Sequence, residues 1–339
     1  MKTKIFAIFL ALTVFSGCSQ NAGAGGNGAG SEYSSEIFAM DTVMELKIYN
    51  SDDEPLKAAE AEINRLDALF SKTNEKSEIY KINSGEYDGI SAETRSLISD
   101  ALEISKSTDG AFDISVAPVT EIWGFTDEQY RVPAPEEIAA ALERVGYEKI
   151  KTDGGIEMPD NALIDLGGIA KGYTSDRVTD IFRQKGVTSA IISLGGNVQT
   201  LGSKPDGSPW KIGIQNPEKD ENAPFIGILE ANEKAVITSG AYQRYFEQDG
   251  RIYHHIIDPS TGYPAESGIV SVTVAADSGK LADGLSTALF VMGLEKAEEY
   301  WRENGGFDFI IQTSDKKIYI TEGIENSFTS DHEFEVIKQ

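Results

Sequence analysis

Short stretches with the two-residue repeat of a β-strand alternate in this sequence with longer stretches that carry the repeat of an α-helix. Met44, Leu46 and Ile48 predict a half-buried strand, and apolar residues over 56–70 predict an amphipathic helix. The same patterns predict helices after Ser91, from Pro135 to Gly146, over 170–182 and over 281–292, strands at 190–194, 210–214 and 270–274, and a hairpin at 307–320. This mixture predicts an α+β (mixed α/β) fold: a single large domain with two subdomains, whose sheets are flanked by helices.

The amino-terminal residues have the layout of an export signal. Lys2 and Lys4 precede an apolar run over 5–15, and small residues then lead to Cys18, the only cysteine. We expect a lipoprotein signal peptide at 1–17 with lipidation of Cys18; the alternative is an ordinary secretory signal with an incidental cysteine. The Gly/Ala/Asn-rich residues after it predict a flexible tether over 18–35, ahead of a folded domain at 36–339. The expected location is extracytoplasmic, with a lipid anchor in the cell membrane or on the periplasmic face of an envelope membrane.

Charge and cysteine content exclude several classes of function. Lys and Arg total 30 against 55 Asp and Glu, so the formal net charge is −25, and such a surface repels nucleic acids. One cysteine cannot form an internal disulfide, and no cysteine pair is present for zinc or redox chemistry. A metal ion is therefore expected to be held by oxygen atoms, which suits magnesium or calcium.

A glycine-rich turn, DLGGIAKGY at 165–173, follows a short apolar segment and precedes a predicted helix. In a strand-to-helix turn of this kind, backbone N–H groups and the helix N-terminus attract an anion, and Lys171 adds positive charge for a phosphate. The spacing matches neither a P-loop nor the dinucleotide-binding turn. The alternative is a tight turn with a surface lysine.

Asp283 and Thr287 lie four residues apart in the predicted late helix, so their side chains share one face. A carboxylate and a hydroxyl on one face form a plausible ligand pair for a hard cation. The alternative is a helix N-terminal Asp next to a solvated Thr.

Two adjacent histidines, His254 and His255, occur in YHHIIDPSTG, which predicts a strand that runs into an Asp-Pro turn. Their side chains point to opposite faces of the strand, so one is a candidate general base. The alternative is one exposed and one core histidine. Zinc is not expected, because His332 is the only other histidine.

The segment GAFDISVAP at 110–118, with Trp123 and Phe125 after it, places aromatic rings beside Asp113. Such a cluster can hold a planar heterocycle, although aromatic residues near glycine are also typical of an ordinary core.

In this order along the chain, these motifs resemble the ApbE-type flavin transferases (FAD:protein FMN transferases), in their lipoprotein form. The resemblance extends from about Met40 to about Ile320, and its most specific parts are DLGGIAKGY, HIIDPSTG and DGLST. It implies a catalytic domain at 36–339 that transfers FMN from FAD to a Thr or Ser hydroxyl of an acceptor protein, with Mg²⁺ as cofactor and AMP as the leaving group. The alternatives are a Mg²⁺-dependent FAD pyrophosphatase and a non-enzymatic FAD-binding lipoprotein.

The resemblance also implies roles for individual residues. Asp283, Thr287 and the backbone carbonyl of Gly168 would bind Mg²⁺. The residues implied to contact the flavin substrate are Met40, Thr73, Ala111, Phe112, Asp113, Asp165, Lys171 and Ile257. We expect His255 to be the catalytic base that takes the proton of the acceptor hydroxyl, and Asp258 to orient its ring if a turn brings the two together.

Overall fold

The computed structural model describes residues 31–218 and 220–339. The predicted signal peptide and Cys18 lie outside the described residues. The helices are α1 (Glu54–Phe70), α2 (Glu78–Asn83), α3 (Ala92–Ser107), α4 (Ala117–Ile122), α5 (Pro135–Leu142), α6 (Ala170–Gln184), α7 (Gly279–Met292) and α8 (Leu294–Asn304). The strands are β1 (Glu32–Ala39), β2 (Thr42–Tyr49), β3 (Ala190–Leu194), β4 (Asn197–Leu201), β5 (Trp210–Gln215), β6 (Phe225–Ala231), β7 (Ala235–Gly240), β8 (Tyr245–Gln248), β9 (Arg251–His254), β10 (Ile269–Ala276), β11 (Phe307–Thr313), β12 (Ile318–Thr321), β13 (Phe328–Thr329) and β14 (Phe334–Ile337).

A nine-stranded sheet in the order β1-β2-β3-β4-β7-β10-β11-β12-β14 forms the centre of the molecule. All of its strand pairs are antiparallel except β12 with β14. Because side chains alternate along a strand, Val274 of β10 packs against the helical side while Ala275 packs on the opposite side. Both faces of the sheet are therefore covered.

Different elements cover the two faces. Helices α1 and α6 pack on the β1–β4 half, and α7 packs on β7 and β10. On the opposite face, the small sheet β13-β6-β5 contributes Trp210, Ile212 and Leu229 to a second core. This layering fixes α6 and α7 next to each other, and their contact becomes the centre of the candidate site.

A separate aromatic cluster supports the two-stranded hairpin β8–β9. Phe246 and Tyr253, one from each strand, stack with ring centroids 5.3 Å apart. Trp123 and Phe125, which follow α4, pack against the same rings. A two-stranded hairpin has little stability alone, so this cluster is what holds it on the domain.

The mixed α/β fold with helices flanking the sheets is confirmed, and Ser91 caps α3 by accepting the Thr94 N–H. Three details differ from expectation. Helix α5 ends at Leu142, four residues before Gly146. Residues 162–166, before the glycine turn, form no strand, so the turn is not a strand-to-helix turn. Strand β1 includes residues 32–35, which the sequence assigned to the tether.

Of the helices that the structure describes, none combines the length and the apolar character needed to cross a membrane.

Candidate active site

Two glycines allow α6 and α7 to touch backbone to backbone. A Cβ atom on Gly172 would lie 2.2 Å from the carbonyl oxygen of Gly279, and one on Gly279 would lie 2.4 Å from the carbonyl oxygen of Gly172. No other residue type fits at either position without moving a helix. This close approach brings the N–H of Gly172 to 2.8 Å from Oδ2 of Asp283.

Asp283 is a buried carboxylate with unused capacity to bind a cation. Only 5% of the residue is exposed, and Asn197 donates from Nδ2 to its Oδ1 at 3.0 Å. With the Gly172 bond, two of about four acceptor sites are filled. Asp283 forms no ion pair with any Lys, Arg or His that the structure describes. A buried anion without a countercharge is unfavourable, so this position favours a bound cation.

Thr287 and Gly168, the other two predicted metal ligands, lie close together. The hydroxyl of Thr287 is 3.2 Å from that of Ser239, and it would be 3.8 Å from a Cβ on Gly168. The three donors would be a carboxylate, a hydroxyl and a carbonyl, all hard oxygen atoms, which fit Mg²⁺. Within residues 31–218 and 220–339, no group of three or more His, Cys, Asp or Glu side chains is arranged to hold a metal ion. The predicted set contains only one such side chain.

Asp165 and Lys171 lie on either side of the glycine pair. The ammonium of Lys72 forms an ion pair with Asp165, and the Gly167 N–H donates to Oδ1 of Asp165 at 2.8 Å. Burial alone would raise the pKa of Asp165, but the Lys72 charge and these hydrogen bonds hold it below its usual range. Lys171 donates to the Gly167 carbonyl oxygen at 3.3 Å. Lys72 is a site residue that sequence reasoning missed.

Met40 and Thr73 approach the site from the first half of the chain. Met40 has φ 48° in the tight turn between β1 and β2, and its N–H donates to Oδ1 of Asp67 at 3.1 Å. The hydroxyl of Thr174 in α6 lies 3.8 Å from its sulfur. Thr73 is exposed and directly follows Lys72, and its hydroxyl is 3.2 Å from that of Ser71.

The Ala111-Phe112-Asp113 segment serves packing as well as the site. The ring of Phe112 would lie 3.0 Å from a Cβ on Gly168, so Gly168 leaves room for it. Asp113 accepts from Ser115 N–H at 2.7 Å and from Tyr147 N–H at 3.0 Å. Burial raises the pKa of Asp113. Its carboxylate is therefore engaged inside the protein, and its contribution to a flavin site would come through placing Ala111 and Phe112.

The two histidines face different environments, although β9 ends at His254 and His255 follows it in a bend rather than in the predicted strand. Nε2 of His254 lies 3.1 Å from the carbonyl oxygen of Ala265, and its ring packs edge-on against Phe290 of α7. The ring of His255 instead faces Phe125, with centroids 6.5 Å apart.

Arg244 fixes the tautomer of His255. Its carbonyl oxygen lies 3.0 Å from the backbone nitrogen of His255 and 3.1 Å from Nδ1. Because a carbonyl only accepts, Nδ1 carries the proton and Nε2 keeps its lone pair. Burial, with the nearby positive charges, lowers the pKa of His255 to about 3, so the ring is neutral at physiological pH. A neutral imidazole with a free Nε2 can act as a base.

Asp258 does not take the expected role. Its Oδ1 accepts from the Ser260 N–H at 2.8 Å and from the Ser260 hydroxyl at 2.7 Å, which stabilises the Asp-Pro turn. The partner of the His255 ring among the described residues is the Arg244 carbonyl instead. The side chain of Ile257 is buried in the aromatic cluster with Trp123.

Two of the other three motifs contact the glycine-turn motif at residues 168–172, which we call the α6 start, and the histidine motif is linked to it only through the charge of Lys171. Gly168 lies against Phe112 and near Thr287, and Gly172 lies against Asp283. The charge of Lys171 lowers the pKa of both Asp165 and His255. The helix N-terminus and the lysine supply positive potential that favours a phosphate group, although the N–H groups of Ala170 and Gly172 already donate to Leu166 and Asp283. The arrangement thus combines an anion-binding turn, an oxygen-rich cation position and a neutral base.

Comparison with known proteins agrees with this geometry. The model of the ApbE family matches residues 40–311. The chain is 35% identical over 297 residues to the FAD:protein FMN transferase of Klebsiella pneumoniae, covering 85% of this chain and 92% of that protein. It is 37% identical over 239 residues to the FAD:protein FMN transferase of Vibrio cholerae, covering 69% and 71%.

A solved structure gives the same result in three dimensions. The crystal structure of the ApbE protein from Thermotoga maritima superimposes with a TM-score of 0.80 at 36% sequence identity, over 88% of this chain and 99% of that chain. The match to the family model extends from the turn at Met40 through the α6 start to β11, so it includes all four motifs. On the evidence of its motifs, its fold and its relatives, this chain belongs to the ApbE family.

Proposed function

We propose that this protein is an FAD:protein FMN transferase, which moves FMN from FAD to a Thr or Ser hydroxyl of an acceptor protein and releases AMP. The observation that carries the proposal is the contact of two distant motifs with the α6 start. The α6 start contributes the phosphate-binding turn, the Asp283 motif contributes the oxygen ligands, and the Phe112 segment contributes the aromatic wall. FAD needs all three, because it combines a planar ring system with a pyrophosphate. The histidine motif contributes the base.

The pyrophosphate would lie at the α6 start. The helix N-terminus and the ammonium of Lys171 supply positive potential there. Mg²⁺ held by Asp283, Thr287 and the carbonyl of Gly168 would neutralise phosphate charge and make AMP a better leaving group. The flavin ring would lie towards Met40, Thr73 and the 111–113 segment.

His255 would act on the acceptor. Nε2 takes the proton of the acceptor hydroxyl, and the oxygen attacks the phosphorus of the FMN half in line with the bond to AMP. The new phosphorus–oxygen bond forms as the bond to AMP breaks, so the acceptor carries FMN through a phosphoester. Arg244 keeps Nε2 free for this step by binding the proton on Nδ1.

The direct test is incubation with FAD, MgCl₂ and a candidate acceptor domain that contains one target threonine. We expect the acceptor to gain the mass of FMN, with one AMP released per modified acceptor. The same domain with that threonine changed to valine is the control. Unmodified acceptor with intact FAD would overturn the proposal, and AMP release without acceptor modification would identify a pyrophosphatase instead.

We also propose that the protein is a lipoprotein anchored outside the cytoplasm through Cys18. The support is the sequence of residues 1–18, a charged start, an apolar run and small residues before cysteine. We expect the wild-type protein to be processed and to incorporate labelled fatty acid, and Cys18→Ser to remain unlabelled. Equal labelling of both would contradict the anchor.

A further inference from the structure

Asp176 lies near the middle of α6, two turns beyond the α6 start. We propose that Asp176 is a positioning residue that sets the affinity of the site for its divalent cation by fixing the first turn of α7. This inference rests on the proposed function, because it presumes the cation held by Asp283 and Thr287.

The carboxylate of Asp176 is completely engaged with its surroundings. Oδ1 accepts from the Gly279 N–H at 2.6 Å and from Nε2 of Gln199 at 3.1 Å. Oδ2 accepts from the Lys280 N–H and from the Ser278 hydroxyl, both at 3.0 Å. These four bonds fill the roughly four acceptor sites of a carboxylate. Asp176 therefore has no acceptor site left for a metal ion.

Asp283, in the neighbouring helix α7, differs from Asp176 because its carboxylate still has unfilled acceptor sites. It is a buried carboxylate in the same helix pair, but it accepts only two hydrogen bonds. The two acidic groups thus have different roles: Asp283 can bind a cation, whereas Asp176 can only hold protein groups in place.

The groups that Asp176 holds belong to the first turn of α7. The first N–H groups of a helix have no partner within the helix, and the end that they form is electropositive. Asp176 accepts from two of them, at Gly279 and Lys280. Asp283 lies one turn further along α7, so a shift of the first turn moves the ligand as well.

The same carboxylate also fixes α7 relative to α6. Gly168 precedes α6, while Asp283 and Thr287 belong to α7, so the cation position depends on how these two helices are placed. The helix contact has no spare room, because a Cβ on Gly279 would lie 2.4 Å from the Ser175 hydroxyl. Losing the Asp176 bonds would let α7 rotate or slide, and the oxygen ligands would separate.

The test compares Asp176→Asn with Asp180→Asn. Both remove one negative charge from α6, but Asp180 lies at the surface, 3.8 Å from Arg183 and 3.9 Å from Arg177. Mn²⁺ binding to the FAD-free protein is measured from the electron paramagnetic resonance signal of free Mn²⁺. We expect Asp176→Asn to weaken binding by about 10–100-fold, and Asp180→Asn to change it by less than about twofold, as expected for an exposed charge.

A kinetic measurement separates positioning from general damage. For Asp176→Asn, the Mg²⁺ concentration giving half-maximal FMN transfer should rise by the same factor as the Mn²⁺ dissociation constant. The rate at saturating Mg²⁺ should stay close to that of wild type. If Asp176→Asn folds poorly, Ser278→Ala removes one of the four bonds and should weaken Mn²⁺ binding less, in the same direction.

Three results would overturn the inference. Unchanged Mn²⁺ affinity in a less stable Asp176→Asn protein would make the residue merely structural. Equal weakening in Asp180→Asn would point to general electrostatics. If the wild-type protein transfers FMN but binds no Mn²⁺, the proposed cation site is wrong, whereas the proposed transferase activity stands.

Discussion

The two halves of the site are built on opposite principles. At the α6–α7 crossing, two backbones touch through Gly172 and Gly279, and a buried carboxylate is held by fixed N–H donors. The β8–β9 hairpin, which leads into His255, is a two-stranded element supported by stacked rings, and its Ile252 is 59% exposed. Under the proposed function, the α6–α7 crossing is the phosphate half of the site, which needs charges at fixed positions. The hairpin that leads into His255 is the base half, which has to admit a hydroxyl from another protein.

The largest effect on the transfer rate is expected from replacing the proposed base, His255. His255→Ala should keep FAD binding and lower the transfer rate by about 10²–10⁴-fold, the usual contribution of a positioned base. His254→Ala is the matched control, because that ring binds Ala265 and packs on Phe290. It should lower stability while transfer per folded molecule stays near wild type. In-gel flavin fluorescence of the acceptor measures the transfer rate of both variants. Full transfer by the His255 variant would refute the role of His255 as the base.

The next largest effect is expected at the close contact between α6 and α7. A Cβ on Gly172 would lie 2.7 Å from the Cβ of Asp283 as well as against the Gly279 carbonyl. Gly172→Ala should therefore lower the free energy of unfolding by about 3 kcal/mol and abolish the response to Mg²⁺.

Gly250→Ala is the control for that variant. Gly250 has φ +77° in the hairpin turn with open space around it, so the change should cost about 1 kcal/mol through the backbone alone. The response to Mg²⁺ should remain. Urea denaturation measures the free energy of unfolding of both variants. If both lose the same stability and keep the same response to Mg²⁺, the helix crossing is no more tightly packed than the hairpin turn.

A smaller effect should come from the aromatic support of the hairpin. Phe246 is stacked on Tyr130 with centroids 5.4 Å apart, and on Tyr253. Phe246→Leu should cost about 1 kcal/mol of stability and lower the transfer rate, without changing the Mg²⁺ concentration needed. Phe309→Leu, in the core against Trp301, should change stability alone. A shifted Mg²⁺ requirement in the Phe246 variant would argue against separate halves.

The smallest effect concerns Lys72, on the phosphate side. The folded pKa of Asp165 lies below its unfolded value, so the Lys72 ion pair stabilises the fold above the unfolded pKa, and this stabilisation is lost as pH falls through the folded pKa. Lys72→Met should lower stability at pH 7 by less than about 1 kcal/mol. The difference from wild type should vanish in acid. A difference that stays the same as pH falls through the unfolded pKa and the folded pKa of Asp165 would contradict the ion pair as its cause.

Local patterns predicted the elements whose signals are contained within a few residues. The repeat over 56–70 gave α1, and the alternation at Met44, Leu46 and Ile48 gave β2. The hairpin β8–β9 was harder, because each strand has only four residues and its stability comes from Trp123 and Phe125, far away in sequence.

The same limit applies to the site. Residues in recognisable motifs, such as Asp283 and His255, could be named before the structure. Lys72 could not, because its partner Asp165 lies 93 residues later. Arg244 acts through its carbonyl oxygen, which every residue type possesses, so no side-chain pattern marks it.

Two neighbouring histidines also tie the halves together. The ring of His254 touches Phe290 in the helix that carries Asp283 and Thr287, while the ring of the next residue is the proposed base. One peptide unit thus separates a contact with the proposed cation-binding helix from the proposed base. The hairpin, otherwise supported by its own aromatic cluster, thereby gains a second attachment, on the helix that carries Asp283.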